Sequence, residues 1–405
     1  MSLRTITYQI ELGLSDHEVN YNLDSFSRMV NEFSDAYCRP RTHRVVTGTV
    51  RSRGDFEYAK YIAVTAKEKS LWGACIPVDM YSSLENISYA HELIKDNFSF
   101  FNMIISREEA LGVEAVKEVS RFIVESAEQD PIYNFRVGVS SVEKNATPFF
   151  PFATVKRGNE FTIGLELINI LTEIVDESPR KPLSELKTIM ISKIGEIVRD
   201  IENIADSLAD KHGLSYGGVD LSIAPYPYPL DDQSVAALVE KIGNMGRSRG
   251  EPVFEFGFNG TYFINGFLTK VIKEVADQNR STGFNGVMYS LLEDTHLANR
   301  YDDGNFDINF LKHLATSCGC GVDMVPMECS DNTSTAVASI IMDVYTASYL
   351  MNKPLGIRVL PIPGARIGDR TNFKHLFFTN TKVRDVGSGI TVQNLPKQDV
   401  AYKAR

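Results

Sequence analysis

Apolar positions along the chain fall into short runs separated by longer segments of helical period. Nine runs read as strands: RTITYQIEL, KSLWGACIPV, YNFRVGVSS, NEFTIGLEL, GVDLSIA, PVFEFGFN, FNGVMYSLL, GVDMVPM and GIRVLPIP. Several are β-rich on both alternate faces, which suits strands covered by helices. In the intervening segments apolar residues recur at three and four. The clearest helix is expected over Ser184–His212, where Ile194, Ile197, Val198, Ile201, Ile204, Ala205 and Leu208 form one stripe. Pro182 stands ahead of it and Gly213 behind, the expected punctuation. DDQSVAALVEKIG is expected to start a helix on Asp231 and Asp232, and SDNTSTAVASIIMDVYTASYLMN on Asp331 or Thr333. HEVNYNLDSFSRMVNEFS is a further amphipathic segment. The strand–helix–strand order predicts an α/β protein with a largely parallel sheet and helices outside it.

No Gly, Ser or Pro linker divides the chain, and ESPRKPLSE (Glu177 to Glu185) is the only hinge candidate. Periodicity fades after Phe378. The expectation is one α/β barrel domain over residues 1–378, with a C-terminal arm over 379–405. An α/β barrel can absorb this much chain as one unit. Hydrophobic content of 43% with 23% charged residues is ordinary for a globular protein. The net charge of −10 and the lack of a long basic run argue against nucleic acid as a partner. The densest basic stretch, CRPRTHRVVTGTVRSRG (Cys38 to Gly54), reads as a solvated loop and edge strand, with an anionic-ligand or subunit contact as the alternative. No stretch approaches the roughly 18 apolar residues of a membrane span. The scattered five cysteines offer no disulfide framework. A cytoplasmic protein is expected, and a homo-oligomer, because the C-terminal arm has no core of its own.

Phosphate-loop, Gly-x-Ser-x-Gly and His-Glu-x-x-His motifs are all absent. In GVDLSIA, alternation puts Asp220, Ser222 and Ala224 on one face and Val219, Leu221 and Ile223 on the other. GVDMVPM likewise separates Asp323 from Val322 and Met324. A buried carboxylate needs donors, cations or water. Either aspartate could instead accept loop amides. Phe284–Gly304 ends a strand in Glu293, Asp294 and His296, which could supply acid–base groups or hard oxygen ligands, or be a solvated acidic turn. Arg358, in an otherwise apolar strand, suits one of these carboxylates or an anionic ligand. Cys318 and Cys320 are expected reduced and inward-facing, as buried small hydrophobes unless a neighbouring base or cation activates a thiol.

Together GVDLSIAPYP, GFNGVMYSLLED, CGCGVDM and GIRVLPIPGARIGD resemble the family catalogued as domain of unknown function 711, best over residues 190–375. The resemblance implies a barrel of about ten strands in two antiparallel halves, each internally parallel, similar to pyruvate formate-lyase and ribonucleotide reductase. By matching position it singles out Asp220, Ser222, Glu293, Asp294, Cys318, Asp323, Arg358 and Asp369. The family has no established reaction. The chain departs from it at Cys320, and at Phe152-Ala153-Thr154, where the family pattern carries Ala-Phe-His-Gly. A glycyl-radical motif is absent. The expectation is an enzyme acting on a small polar substrate in an acidic cavity without radical chemistry. Glu293, Asp294, His296 and Asp323 are its catalytic candidates, and Asp220, Ser222, Arg358 and Cys318 would bind the ligand. A divalent cation such as Mg²⁺ or Ca²⁺ is the alternative occupant, less favoured beside Arg358. The rival is a non-catalytic ligand-binding or sensor protein on the same barrel.

Overall fold

The computed structural model describes residues 2–107, 110–141, 147–227, 233–317, 319–390 and 400–401. The first half alternates as expected: β1 (Ser2–Ile10), α1 (Asp16–Ala36), β2 (Pro40–Thr47), α2 (Arg53–Glu68), β3 (Gly73–Asp79), α3 (Ile87–Leu93) and β4 (Ser99–Ile104). Two short strands follow, β5 (Ser106–Arg107) and β6 (Ala110–Leu111), then α4 (Val113–Gln129), β7 (Val137–Ser140) and β8 (Glu160–Glu166). Helices α5 (Ile168–Asp176) and α6 (Leu183–His212) lead to β9 (Ser215–Asp220). Next come α7 (Val235–Gly243), α8 (Thr261–Ala276), α9 (Thr295–Asp303) and α10 (Ile308–Ala315). The last elements are β10 (Gly321–Glu328), α11 (Thr333–Met351), β11 (Gly356–Ile362) and β12 (Val400–Ala401).

Nine strands form one mixed, mostly parallel sheet in the order β10-β11-β7-β4-β3-β2-β1-β8-β9. The central five, from β7 to β1, run parallel to one another. Antiparallel joints connect β1 to β8 and β7 to β11, while β8–β9 and β10–β11 are again parallel pairs. Beyond β9, Ser281 bridges Val219 and Val287 bridges Ile223, both in parallel sense. Ser290 bridges Asp323 of β10, the strand at the other end of the order. Thus residues 281–290 touch both edges of the sheet, through isolated bridges rather than a strand.

The core lies between sheet and helices. Phe26, Met29 and Phe33 of α1 pack with Ile6 and Tyr8 of β1, and Met190, Ile194, Val198 and Ile201 of α6 extend the same layer. The other face of the sheet is unusually polar. Thr5, Thr7, Gln9, Asn102, Thr162, Asp220 and Ser222 are all wholly buried. Such groups persist inside a protein only when hydrogen-bonded, and Gln9 Nε2 accordingly donates to Glu160 Oε1 at 2.9 Å.

Three expectations need correction. The basic stretch is not an edge strand: β2 is bonded to β1 on one side and to β3 on the other. PVFEFGFN forms no strand, because side chains take its amides. Phe254 N donates to Asn244 Oδ1, Phe256 N to Glu240 Oε1 and Gly257 N to Thr261 Oγ1. FNGVMYSLL contributes only the isolated bridges and a 3-10 turn at Leu291–Glu293. Helix α6 matches its expected span, whereas α7 takes Ser234 as cap, Oγ accepting from Ala237 N at 3.0 Å. Asp231 and Asp232 lie outside the described residues. Helix α11 begins at Thr333 without a side-chain cap. Among the described residues no helix is long and apolar enough to cross a membrane.

Candidate functional site

Three irregularities in the ladders place charged residues at or just behind one pocket. Between Leu3 and Thr5 the β1–β8 register shifts, leaving Arg4 as the extra residue. A second shift falls on β9, where Gly217 and Gly218 separate the paired residues Tyr216 and Val219. Gly218 has φ +110°, and a Cβ there would meet Arg280 O at 2.4 Å. The third lies between Asp323 and Val325, where Met324 takes φ +55°. A bulge bends its strand and re-aims the neighbouring side chain, and here the neighbours are Arg4, Asp220 and Asp323.

The pocket has a volume of about 130 Å³, and Arg4, Arg41, Arg44 and Arg358 line it together with Glu166, Glu293 and Asp323. The remaining wall is largely aromatic, including Trp72, Phe100, Phe135, Phe150, Phe152 and Tyr226. The expectation of an acidic cavity is therefore corrected in charge, since four guanidiniums face three carboxylates.

Most of these charges are paired. Arg358 makes a bidentate bridge to Asp323, Nε to Oδ1 at 2.7 Å and Nη2 to Oδ2 at 2.8 Å, because the two residues are register partners on β11 and β10. Its Nη2 also donates to Glu293 Oε2 at 3.2 Å. Burial raises the Glu293 pKa above the usual carboxylate range, and the charge of Arg358 only partly opposes this. The Arg358 guanidinium is pushed the other way: burial lowers its pKa, but the two carboxylates more than compensate. Arg4 pairs with Asp220 and Arg41 with Glu166.

Arg44 differs. It stands on β2 with its guanidinium 4.5 Å from the Trp72 ring centre and 4.9 Å from that of Phe150. Its Nε donates to Thr42 Oγ1 at 2.9 Å. Among the described residues it forms no salt bridge. Burial, with the nearby charge of Arg4, draws its pKa down to about 9, which leaves it cationic at neutral pH.

The residues singled out from the sequence divide. Glu293, Asp323 and Arg358 line the pocket together. Asp220 is buried behind Arg4, accepting from Ser222 Oγ at 2.6 Å and Asn285 N at 3.0 Å, so Ser222 belongs to its hydrogen-bond shell. Asp294 is spent on caps, accepting from Ser234 Oγ, from Val235 N of α7 and from Leu297 N of α9. His296 is hydrogen-bonded to Glu240 at 2.9 Å and faces a separate open cleft beside α7. Asp369 lies in an exposed turn, accepting from Arg366 N. Cys318 lies outside the described residues, while Cys320 is buried on the pocket wall and is not in a disulfide. Among the described residues no group of three or more His, Cys, Asp or Glu could hold a metal ion.

Sequence reasoning missed Arg4 and Glu166, and reached Arg41 and Arg44 only through the alternative reading of the basic stretch as an anionic-ligand contact. The available signal was the one used for Arg358, an arginine within a strand-forming run: RTITYQI and RTHRVV both carry it.

Fold and site together define a mixed α/β protein whose sheet carries an arginine–carboxylate pocket walled by aromatic rings. The chain belongs to the family of uncharacterised proteins DUF711, which matches it over residues 78–391. Similar proteins include a UPF0210 protein of Pyrobaculum arsenaticum, 29% identical over 64% of this chain and 56% of its own length. A UPF0210 protein of Sulfurisphaera tokodaii is 25% identical over 91% of this chain and 87% of its own. One from Lactobacillus delbrueckii subsp. bulgaricus is 20% identical over 89% and 83%. The chain thus spans only a little over half the length of the Pyrobaculum relative, though most of the other two.

Proposed function

We propose that this protein is an enzyme on a small molecule, with Glu293 as the acid–base group of the arginine–carboxylate pocket. The observation that carries this is the position of Glu293: on the pocket wall, within hydrogen-bond reach of Arg358, and with its pKa raised by burial toward the range useful for proton transfer. Asp323 and Arg358 are positioning residues that fix its geometry, and Asp220 acts through Arg4. Asp294 and His296 serve the packing of α7 against α9.

The enclosing architecture in this reading is a closed ten-stranded ring over residues 1–378, with 379–405 as an arm. The bridges of residues 281–290 to β9 and to β10 support closure. They would make that segment the tenth strand, giving two antiparallel halves of five, as in the fold of pyruvate formate-lyase. The four described cysteines are not in disulfides, which suits a reducing cytoplasm. Self-association is proposed on general grounds and is checked by light scattering against the 45.3 kDa chain.

The test is solvent-deuterium incorporation into a panel of small carbonyl and carboxylic compounds, followed by NMR. Exchange is expected with the wild type and is lost in Glu293→Gln. Ligands that bind without any exchange would favour the rival, a non-catalytic binding protein, which the largely aromatic wall also suits.

A further inference from the structure

We propose that the pocket recognises a small monocarboxylate with a flat apolar body, and that Arg44 is the residue that pairs with its carboxylate. This rests on the pocket reading above and adds the substrate class to it.

Charge bookkeeping leads to Arg44. Of the four guanidiniums on the wall, Arg4 is matched by Asp220, Arg41 by Glu166, and Arg358 by Asp323 and Glu293. Only Arg44 among them lacks a carboxylate partner among the described residues. Glu293 acts on it only from beyond contact distance; a part-buried cation with no carboxylate in contact gains from one, so the arrangement is explained if a ligand supplies that contact.

Its mounting agrees. Trp72 and Phe150 each lie within cation–π distance of the guanidinium, and Thr42 holds the inner nitrogen. Nε being taken, the terminal nitrogens remain for a planar, two-oxygen acceptor, the geometry in which arginine binds carboxylates. A single cation with no carboxylate in contact suits one negative charge better than the two of a phosphate ester. The aromatic wall supplies faces for an apolar body. A volume of about 130 Å³ limits that body to roughly one ring, since a cavity of about 150 Å³ is known to take benzene.

The chain carries its own reporter. Trp72 is the only tryptophan in the sequence and lies against Arg44, so its fluorescence should respond to an anion bound there. The experiment is a fluorescence titration of the full chain with benzoate, its neutral amide benzamide, and inorganic phosphate. Saturable change with benzoate is expected, with benzamide and phosphate each at least about ten-fold weaker. Arg44→Met should weaken benzoate binding about ten- to a hundred-fold, the worth of a charge-assisted pair. Arg44→Lys, which keeps the charge but loses the planar fork, should fall between. Thermal midpoints identify a variant that fails to fold, in which case the ligand comparison on the wild type decides alone.

The proposal is overturned if benzoate gives no saturable signal, if benzamide or phosphate binds as well as benzoate, or if a folded Arg44→Met binds benzoate like the wild type. Failure here is separable from failure of the acid–base reading. Benzoate binding by the wild type, with no proton exchange on any compound of the panel, sinks only the enzyme. Glu293-dependent exchange on an uncharged compound, with no benzoate binding, sinks only the carboxylate assignment.

Discussion

Arg358 holds Asp323 and Glu293 at once, and all three lie largely out of water, with Arg358 and Asp323 each 5% exposed. Removing the shared cation leaves two adjacent carboxylates without it, Asp323 buried and Glu293 with its side chain 22% exposed. Arg358→Met is therefore expected to destabilise by about 3–5 kcal/mol, the cost of breaking a buried pair, measured by urea unfolding. Glu293→Gln should behave oppositely. A carboxyl whose pKa is raised on folding contributes its full stability below the ordinary value of 4.5 and loses it as pH climbs toward the folded value. The variant lacks that loss while its amide oxygen can still accept from Arg358. Its stability relative to wild type should rise with pH above about 4.5, and a flat difference across that range would refute the raised pKa. Arg358 was legible because one charge in an apolar strand demands a partner. Asp294 misled the same reasoning, since an acid after a strand can equally be a helix cap, and only the fold reveals which amides it meets.

At the scale of elements, Glu240 ties three segments together. It sits on α7, accepts from His296 and Arg300 of α9, and takes the amide of Phe256 between α7 and α8. Burial would raise its pKa, but these hydrogen bonds overcome that and hold it at about 2. His296 is raised in turn, first by its hydrogen bond to Glu240. The carboxylate's contribution is complete above its ordinary 4.5 and lost as pH falls toward 2. The imidazolium's contribution is complete below its ordinary 6.5 and lost as pH rises through the raised value. Glu240→Gln should consequently cost most between about pH 4.5 and 6.5, on the order of 2–3 kcal/mol, with a smaller difference on either side. Periodicity placed α6 closely because a long apolar stripe with Pro and Gly at its ends leaves few alternatives. It failed on PVFEFGFN, where the apolar alternation is genuine but side chains of α7 and α8 claim the amides a ladder would need. It also passed over β4, whose run SFFNMI is buried on both faces and has no polar alternation to mark it.

For the whole molecule, the open matter is whether the sheet ends at β9 or continues through residues 281–290 to β10. The sequence read FNGVMYSLL as a strand but could not fix what it pairs with, because its glycine and turn residues leave the register weakly specified. Backbone bonds on both sides of this segment bear on the answer. Thr282 N donates to Val219 O at 2.8 Å and Met288 N to Ile223 O at 2.9 Å, while Gly319 N, on the side of β10, donates to Val287 O at 2.6 Å. In a closed ring the amides of Thr282, Met288 and Gly319 would all be released only when the ring opens. They should then exchange with solvent deuterium as slowly as those of β1 and β2, whereas exposed-loop rates would leave an open sheet. Gly218 supplies the matching perturbation. Its φ of +110° and the approach of Arg280 O leave no room for a methyl group. Gly218→Ala is expected to cost about 2–4 kcal/mol, combining left-handed strain with overpacking. If the ring is one cooperative closure, that substitution should speed exchange at Gly319, on the β10 side, as well as at Thr282. Acceleration confined to Thr282 and Met288, with Gly319 unchanged, would mean that the β9 side yields locally while the β10 side holds, and the ring would not be a single unit.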